Sequence, residues 1–311
     1  MTAEIFVLNY NGADLLRECL PSILEASKAS PINCPVIVID NRSTDDSAEV
    51  LKKEFPTAKV YFASKNLVLC SFNEAVRQSA AEIVILLNND LKVEKNFIAP
   101  LLEGFEKRKD AFLVAPQAHT FDKTRYEGSL SKIYFKHGLL AAESRFPGYE
   151  EKINKKSFTM QAGFGAFKRD TFLNLGGFDD LYLPGTLEDS DLCFRAWRMG
   201  YACYYAPESR VYHKGQATFK RVFNKSKILA INQRNLYLFT WKNIRDPYLL
   251  LKHFEWLVLR PLFFLLKGRV EFLWGFLWAF GRLPKALVRR MAEKNKPLRS
   301  DREIFQISGA I

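Results

Sequence analysis

The sequence predicts an α/β protein with a largely parallel sheet, because apolar strand-like segments alternate with helical segments along the first part of the chain. Two of these strands end directly on polar side chains: the one near 82–87 leads to Asp90, and the one near 35–40 ends at Asp40. Strands of such sheets direct their carboxyl ends into the crevice where ligands bind. The two strand ends therefore predict a ligand site at one edge of the sheet, although a turn rich in Asn and Asp gives the same pattern.

The remaining elements follow from the spacing of apolar residues. Short runs of apolar and β-branched residues predict strands near 4–9, 35–40, 58–63, 82–87 and 112–116. Amphipathic segments between them predict helices near 13–29, 45–54, 72–81 and 95–107. A polar, aromatic segment at 121–157 predicts a mobile excursion, and a further strand at 159–167 leads into a helix that begins near Arg169.

A third polar cluster stands later in the chain, where Glu188, Asp189 and Asp191 open an amphipathic helix. Acidic residues in a first turn stabilise a helix through its dipole, and this structural interpretation stays open for all three. Asp191 is predicted to be structural, because Arg195 lies four residues later on the same helix face. His213 follows at the end of another apolar segment, where a packed or capping histidine is an equally open interpretation.

Composition agrees with one large α/β core and a smaller appended element, since the chain has 311 residues of which 48% are hydrophobic. The five cysteines show no C-x-x-C spacing, which indicates neither a zinc knuckle nor a disulfide framework and predicts reduced thiols in the core. The first residues lack a basic region followed by a long apolar run, so we expect no export and a cytoplasmic location.

The C-terminal part of the chain mixes basic and aromatic residues, and we place a boundary near 234–246 that divides the chain into units 1–240 and 241–311. Charged side chains interrupt its apolar run too often for a spanning helix, which needs roughly 20 apolar residues. The mixture instead predicts amphipathic helices at 248–290 that lie on an anionic membrane surface. A helical hairpin packed on the first unit is the open alternative. Nucleic acid is not an expected partner, because no recognised binding module accompanies the charge.

Six motifs, in sequence order, carry a resemblance to a known family. They are Phe6-Val7-Leu8-Asn9-Tyr10-Asn11-Gly12, Asp40 with its polar turn, Asn88-Asn89-Asp90, Gly176-Gly177-Phe178-Asp179, Glu188-Asp189 and Tyr212-His213. Over about the first 240 residues the chain resembles the family-2 inverting glycosyltransferases of the GT-A fold, specifically their bacterial rhamnosyltransferase-like branch. The resemblance implies a Rossmann-like mixed sheet of the nucleotide-diphospho-sugar transferase type, here with a C-terminal amphipathic helical extension. It also implies sugar transfer from a nucleoside diphosphate donor with a divalent metal.

The same resemblance implies roles for individual residues. The implied donor-binding residues are Asn9, Asn11, Asp40, Asn73, Asn88 and Asn89. Among them, Asp40 would read the base of a UDP- or dTDP-sugar, and Asn11 stands in a strand-to-helix turn that favours phosphate, unless it only caps the helix. Asp90 and His213 would hold Mg²⁺ or Mn²⁺. Asp189 would be the general base, kept ionised by the helix amino terminus, with Glu188 as the alternative base.

The expected acceptor is a lipid-linked or cell-surface glycan, which implies polysaccharide biosynthesis for the cell envelope at the inner face of the membrane. The excursion at 121–157 would then lie on the acceptor side. Val68 and Phe72 depart from the family pattern, since relatives commonly have glycine there, and both would add bulk near the donor. A catalytically silent homologue that binds glycan or nucleotide and partners other transferases therefore stays an alternative. A NAD-type dehydrogenase is disfavoured, because no G-x-G-x-x-G follows the first strand.

Overall fold

The computed structural model describes residues 1–215, 222–293 and 296–311. The strands are β1 (Ala3–Asn9), β2 (Val36–Asp40), β3 (Lys59–Phe62), β4 (Ile83–Asn88), β5 (Leu91–Val93), β6 (Ala111–Thr120), β7 (Tyr126–Gly128), β8 (Lys132–Lys136), β9 (Leu139–Glu143), β10 (Ser157–Phe158), β11 (Gly165–Lys168) and β12 (Ala202–His213). The helices are α1 (Ala13–Lys28), α2 (Ser47–Glu54), α3 (Phe72–Gln78), α4 (Ile98–Lys107), α5 (Arg169–Asn174), α6 (Glu188–Arg198), α7 (Lys225–Asn243), α8 (Pro247–Leu266), α9 (Val270–Met291) and α10 (Asp301–Ala310).

The main sheet is mixed, and its strands lie in the order β10, β12, β6, β11, β4, β1, β2, β3, with β5 paired to β12 and β7 to β6. β3, β2, β1 and β4 run parallel, so their carboxyl ends meet at one edge. β11 runs antiparallel between β4 and β6, and β12 runs parallel to β6. The predicted α/β fold with a Rossmann-like mixed sheet is confirmed.

The parallel part of the sheet is buried on both faces. Ile5 and Ile85 are fully buried on one face, and Ile39 and Leu86 are fully buried on the other. Near-continuous apolar runs of this kind are typical of parallel strands that helices cover on both sides. The predicted strand at 159–167 is shorter than expected, because regular pairing begins only at Gly165, whose φ of 139° few other residues adopt.

The segment 121–157 is ordered, which corrects the prediction of a mobile excursion. It contains β7 and the two-stranded ribbon formed by β8 and β9. Ile133, Leu140 and Phe146 of this segment are buried in the main hydrophobic core. Burial of these side chains removes apolar surface from water and so anchors the ribbon to the sheet.

The C-terminal helices are joined to the sheet rather than separated from it. Residue 240, where we predicted the boundary, lies within α7. Beyond it, Lys242 and Asn243 donate hydrogen bonds to the buried Asp191 carboxylate at 2.7 and 2.8 Å. Arg195 also contacts Asp191, at 2.7 Å, as the helical spacing predicted. Asp191 is therefore a structural residue that links α6 to α7.

Two further contacts attach the C-terminal helices to the rest of the protein, one to α7 and one to β8. α9 packs closely along α7, since a Cβ at Gly275 would lie 2.4 Å from the carbonyl oxygen of Ala230. α10 returns to β8, where the Ser308 hydroxyl accepts from the amide of Ile133 at 2.8 Å and donates to its carbonyl at 2.9 Å. Among the described residues, no helix has both the length and the apolar character that crossing a membrane requires.

Candidate active site

A cavity of about 1460 Å³ lies at the edge of the sheet where β1, β2 and β4 end. Its walls include Leu8 and Asn88 from the ends of β1 and β4, and Asp189 from the start of α6. Pockets that bind one small molecule commonly measure about 300–1,000 Å³. The cavity is therefore large enough for a nucleotide sugar together with part of an acceptor.

Two buried amides cross-link the strand ends at this cavity. The Nδ2 of Asn89 donates to Oδ1 of Asn9 at 2.7 Å, and the Nδ2 of Asn9 donates to the Ser43 hydroxyl at 3.3 Å. Gly12 permits this arrangement, because a Cβ there would lie 2.2 Å from the Nδ2 of Asn89. Asn88 and Asn89 line the cavity, whereas Asn9 is fully buried behind them and supports their position.

The turn between β1 and α1 is already bonded to the loop after β2. The backbone N–H of Asn11 donates to the Ser43 hydroxyl at 3.0 Å, and Asn11 Oδ1 accepts from the amide of Thr44 at 2.7 Å. The amide of Ala13, at the start of α1, donates to Asp45 Oδ2 at 3.1 Å. These donors bind protein rather than a diphosphate. The expected contact of Asn11 with the donor is therefore corrected, since its side chain fixes the loop.

Asp40 is buried at the end of β2 and uses only one carboxylate oxygen within the protein. Its Oδ1 accepts from the amide of Ser43 at 2.9 Å, which closes an Asx turn. Its Oδ2 is buried and has no hydrogen-bond partner in the part of the chain that the structure describes. The adjacent Asn41 lines the cavity and donates to Asn66 at 2.8 Å. One oxygen of Asp40 therefore closes the turn, and the other, unpaired among the described residues, is an acceptor that lies behind the cavity wall formed by Asn41.

Asn73 lies away from the cavity. Its Nδ2 donates to the Phe178 carbonyl at 2.8 Å, and its Oδ1 accepts from the Phe178 amide at 2.9 Å. Gly177 makes this contact possible, because its φ is 65° and a Cβ there would lie 2.2 Å from Asn73 Oδ1. Asn73 thus holds the glycine turn after α5, which corrects its predicted contact with the donor.

Asp90 and His213, here called the metal pair, meet where β5 pairs with the end of β12. Asp90 Oδ2 lies 3.5 Å from His213 Nε2, and Asp90 Oδ1 is buried without a partner among the described residues. Glu127, on β7, places its Oε2 3.2 Å from His213 Nδ1. Burial alone would lower the pKa of His213, but the attraction of the two nearby carboxylates outweighs it and raises that pKa to about 9.

The metal pair fits a divalent cation that also binds substrate. Residues 1–215, 222–293 and 296–311 hold no group of three or more His, Cys, Asp or Glu side chains arranged as a metal cage. Mg²⁺ rarely needs one, since it usually takes one or two carboxylates and completes its shell with phosphate and water. The unpartnered Asp90 Oδ1 offers one such ligand. His213 Nε2 would offer a second only in exchange for its proton, because a metal and a proton compete for the same nitrogen lone pair. Glu127 contacts the other ring nitrogen, as carboxylates that orient metal-binding histidines do.

Glu188 and Asp189, here called the acid pair, begin α6 on another wall of the same cavity. Asp189 Oδ2 accepts from Gln161 Nε2 at 3.0 Å, and its Oδ1 accepts from the amide of Ser190 at 2.8 Å. Glu188 Oε2 is buried without a partner among the described residues. A Cβ at Gly163 would lie 3.6 Å from Asp189 Oδ2, so the glycine leaves room beside this oxygen.

Burial raises the pKa of both carboxyl groups in the acid pair. The pKa of Glu188 rises to about 8, because burial and then the neighbouring Asp189 disfavour its charged form. Burial also raises the pKa of Asp189, although hydrogen bonds from Gln161 and Ser190 oppose the rise. The helix amino terminus was expected to keep Asp189 ionised by lowering its pKa, but burial outweighs that effect. Raised values suit groups that exchange protons near neutral pH.

The loop before the acid pair is held in an unusual conformation. Thr186 and Leu187 have φ angles of 73° and 69°, in the left-handed region that costs such residues roughly 1–2 kcal/mol each. Asn235 on α7 fixes this loop, because its Nδ2 contacts the carbonyl oxygens of Tyr182 at 2.9 Å, Gly185 at 2.7 Å and Thr186 at 2.9 Å. Backbone strain of this kind persists only where surrounding contacts impose it.

Two arginines brace the same loop from the C-terminal helices. Arg234 on α7 donates to the Leu183 carbonyl at 2.6 Å. Arg282 on α9 donates to the carbonyls of Leu181 and Leu183 at 2.7 and 2.9 Å. Burial, with repulsion from Arg282, lowers the pKa of Arg234 to about 10. The C-terminal helices thus help to place the acid pair.

The two departures from the family pattern differ in their effect. Phe72 is fully buried and packs on Phe178, with ring centroids 6.2 Å apart, so its bulk lies in the core. This corrects the expectation that Phe72 crowds the donor. Val68 does line the cavity, with a φ of 52° that glycine adopts freely and a β-branched residue does not. Val68 therefore narrows the cavity at the cost of local strain.

Three residues that shape this site were not predicted from the sequence: Glu127, Gln161 and Asn235. None of them stands in a motif, because each acts on a partner that is distant in sequence. Glu127 reaches His213 only because β7 pairs with β6, next to β12. A glutamate directly before Gly128 was the one local sign of a functional strand end, and it is weak.

Comparisons with known proteins agree with the fold. The family model described as "Glycosyl transferase family 2" matches residues 4–175, which is more than half of the chain. N-acetylgalactosaminyltransferase 7 of Drosophila melanogaster is 22% identical over 267 residues, covering 77% of this chain and 44% of that protein. The chain spans less than half the length of each curated relative it matches.

Two solved structures show the same architecture. GalNAc-T7 with UDP, GalNAc and Mn²⁺ has a TM-score of 0.60 at 17% identity, covering 80% of this chain and 49% of that chain. The mannosyltransferase PcManGT from Pyrobaculum calidifontis, in complex with GDP-Man and Mn²⁺, has a TM-score of 0.56 at 16% identity, covering 94% of this chain and 88% of that chain. At these identities the likeness concerns the fold.

Proposed function

The chain belongs to glycosyl transferase family 2, and we propose that it transfers a sugar from a UDP- or dTDP-sugar to an acceptor hydroxyl, with inversion at the anomeric carbon. The observation that carries the proposal is that the metal pair and the acid pair line one cavity. One pair suits a metal-bound diphosphate and the other suits removal of a proton. The volume of about 1460 Å³ accommodates both substrates.

The donor would lie along the ends of β2 and β4. The free Oδ2 of Asp40 would accept the imide N–H of uracil or thymine, and Asn88 and Asn89 would face the donor. Asp90 and His213 would hold Mn²⁺ or Mg²⁺, which when bound offsets the charge on the leaving diphosphate. The presence of Mn²⁺ with UDP in the GalNAc-T7 structure supports a divalent metal here.

The acceptor hydroxyl would attack the anomeric carbon from the face opposite the diphosphate. The new C–O bond forms as the bond to the diphosphate breaks, and the hydroxyl proton passes to a carboxylate. Asp189 is our choice of base, because Gln161 orients its Oδ2 and Gly163 leaves room beside it. Glu188 stays the alternative. Because burial raises the pKa of the Asp189 carboxyl, we expect kcat/KM to increase with pH as this base loses its proton.

A donor panel tests this function. We would measure thermal stabilisation and nucleoside diphosphate release with UDP-, dTDP- and GDP-sugars, each with and without Mn²⁺. Metal-dependent turnover of a UDP- or dTDP-sugar would support the proposal, and a preference for dTDP-rhamnose would support the bacterial rhamnosyltransferase-like branch. Stabilisation without any turnover would instead favour the silent homologue. Turnover of GDP-sugars alone would contradict the base-reading role given to Asp40.

We also propose that the acceptor is a lipid-linked or cell-surface glycan of the cell envelope, reached from the cytoplasmic face of the membrane. The support is the outward face of α8 and α9, which is apolar and exposed. Its large exposed residues are Leu251, Phe254, Val258, Leu259, Leu262, Phe263, Leu265, Leu266, Val270, Trp274, Leu277 and Trp278. Extended apolar surfaces of this kind mark sites of partner or membrane contact.

Basic residues accompany this face and favour a membrane over a protein partner. Lys267 and Arg269 are exposed at the turn between α8 and α9. Lys267 lies 5.9 Å from the ring centroid of Phe263, and Arg269 lies 4.8 Å from that of Phe272. Aromatic residues beside Lys and Arg are typical of helices that lie in the headgroup region, where each cation contributes about 1 kcal/mol.

Sedimentation with anionic vesicles tests this contact. Trp274 and Trp278 are 55% and 41% exposed, so replacing both with Ser removes apolar contacts without opening the core. Phe276 is left intact, because its ring lies 5.2 Å from that of Tyr237. We expect the wild type to bind, high salt to weaken binding, and the double variant to lose it. Phe62→Ser, at a position 62% exposed on β3, is the control. Equal binding by the double variant would contradict the proposal.

A further inference from the structure

Arg260 on α8 stands in the cavity with part of its hydrogen-bonding capacity unused. Its Nη2 donates to Gln233 Oε1 at 3.4 Å, which is a long bond, and its Nε is buried without a partner among the described residues. None of the ion pairs within 1–215, 222–293 and 296–311 involves Arg260. Burial lowers the pKa of Arg260, although Tyr237 opposes this. Arg260 is half-buried, and its guanidinium carbon lies 5.3 Å from the ring centroid of Phe264. The ring face compensates the cation in part but supplies no counter-charge, so we infer that an anion completes this site.

The same cavity has an apolar wall next to the arginine's helix. Leu139 and Leu140 of β9 are buried there, and Leu229 and Leu236 of α7 contribute partly buried side chains. This wall is distinct from the polar strand ends that we assign to the donor. A ligand that meets both features must carry a negative charge and an apolar chain.

We propose that Arg260 anchors a subsite for a phosphate ester borne by the acceptor, whose apolar chain lies against the leucine wall and leads to the exposed face of α8 and α9. A guanidinium presents paired N–H groups that match phosphate oxygens, and such charge-assisted bonds are stronger than neutral ones. This inference rests on the proposed transferase function and deepens it by specifying the chemical class of the acceptor. The donor diphosphate does not need Arg260, because we assign its binding to the metal pair where β5 pairs with β12.

The phosphate could come from three sources: the acceptor, the donor diphosphate or a membrane headgroup. We commit to the acceptor, because Arg260 lines the cavity rather than the outward face and stands on α8 rather than at the strand ends. The experiment has one measurement for each source. They are the affinity for farnesyl phosphate relative to farnesol, the affinity for UDP with Mn²⁺, and binding to anionic vesicles.

Three variants are compared with the wild type by titration calorimetry, with the prenyl probes kept below their critical micelle concentrations. Arg260→Gln removes the cation, Arg260→Lys keeps it, and Lys267→Gln removes a cation from the exposed end of the same helix as the control. We expect the wild type and Lys267→Gln to bind farnesyl phosphate at least about tenfold more tightly than farnesol. Arg260→Gln should lose that preference and Arg260→Lys should keep part of it, while UDP and vesicle binding stay unchanged in both Arg260 variants. Lys267→Gln is the control for the prenyl probes only, since Lys267 stands at the proposed membrane face.

Several results would overturn the inference. Equal affinity of the wild type for farnesyl phosphate and farnesol would do so without any variant, which matters if Arg260→Gln does not fold. Retention of the preference by Arg260→Gln would also do so. Loss of UDP binding in that variant would assign the anion site to the donor, and loss of vesicle binding would assign it to headgroups. Turnover of donor sugars by the wild type reports separately on the transferase function, so the two failures are distinguishable.

Discussion

Two regions of this protein differ in the interactions that they lack. The first is the strand ends of β1, β2 and β4, and the second is the helix pair α8 and α9. At the strand ends almost every polar side chain is bonded to another, and the exceptions include Asp40 Oδ2 and Asp90 Oδ1, both buried. Along α8 and α9 the incomplete interactions are apolar, since Val258 and Leu266 are 71% and 78% exposed. The first pattern calls for a small polar ligand and the second for an extended apolar surface.

The difference shows how the two regions divide the work that we propose. The strand ends are specific, because Asn89 bonds to Asn9 at the end of β1 and Asn41 bonds to Asn66 in the loop after β3. The α8–α9 pair is less specific, since burial of apolar area depends little on exact geometry. Arg282 connects α9 to a further wall of the cavity, because it bonds to the loop that precedes the acid pair. The predictions below separate the contributions of the two regions.

The largest expected effect is in the acid pair. Asp189→Asn should lower kcat by about 10²–10⁴, because only proton removal is lost, while the affinity for the nucleoside diphosphate stays nearly unchanged. Steady-state kinetics with calorimetry on the same preparation would measure both quantities. Turnover at the wild-type rate would exclude Asp189 as the base and transfer that role to Glu188.

The next effect concerns the metal pair. Asp90→Ala should weaken binding of UDP in the presence of Mn²⁺ by at least about tenfold and abolish the dependence on Mn²⁺. His213→Ala should do so less completely, and Glu127→Gln should have the smallest effect because it only orients the imidazole. Titration calorimetry with and without Mn²⁺ measures these changes. Asp170→Ala, an exposed acid on α5, is the control. Unchanged metal dependence in the Asp90 variant would mean that this residue only forms a turn.

A smaller effect is expected for the loop before the acid pair. Asn235→Ala leaves three carbonyl oxygens without their shared donor, which should cost about 1–3 kcal/mol of stability and lower kcat about tenfold with little change in donor affinity. Asn73→Ala is a matched control, because it also removes a structural amide but lies away from the cavity. Equal losses of kcat in the two variants would show that stability, and not positioning, explains the effect.

The smallest effect concerns His253, which joins α8 to the β8–β9 turn. Its Nδ1 contacts the Gly138 carbonyl at 2.7 Å, and its Nε2 accepts from Trp241 Nε1 at 2.8 Å, so the neutral ring is required. Burial lowers the pKa of His253. The stability that this neutral ring provides is therefore present above about pH 6.5 and is lost as pH falls below it.

His253→Gln tests this linkage. The variant should be less stable than the wild type at pH 8 by about 1–3 kcal/mol, because buried partners lose their hydrogen bonds. The difference should narrow toward pH 5, since only the wild type must then accommodate a charged ring. Thermal unfolding of both proteins across this range is the measurement. Parallel curves would show that His253 does not titrate in this way.

The sequence was most informative about candidate site residues that stand at the ends of strands and helices. Asp40, Asp90 and the acid pair stand at element ends that hydrophobic periodicity locates well, and the fold class follows from the same pattern. Asn11 and Asn73 were misassigned for a common reason. An amide can bond to a ligand or to a distant backbone group, and only tertiary contacts, such as those of Asn73 with Phe178, decide which.

Other features could not be predicted because they arise from packing between distant segments. Glu127 and Asn235 reach the site only after β7 and α7 have docked. The order in 121–157 depends on buried residues whose spacing in a two-stranded ribbon gives little periodic signal. The mixture of basic and aromatic residues in the C-terminal helices was evident from their composition. The bond from Arg282 to the loop before the acid pair was not predicted, since nothing in the local sequence distinguishes Arg282 from the solvated arginines nearby.

The central claim is that one cavity holds a metal-bound nucleotide sugar and transfers its sugar. The most direct test is release of nucleoside diphosphate from UDP- or dTDP-sugars by the purified wild type, measured in Mn²⁺, after EDTA and after restoration of Mn²⁺. We predict release in Mn²⁺, its loss with EDTA and its recovery on restoration. A folded protein that releases no diphosphate from any donor, or whose release ignores EDTA, would contradict the account.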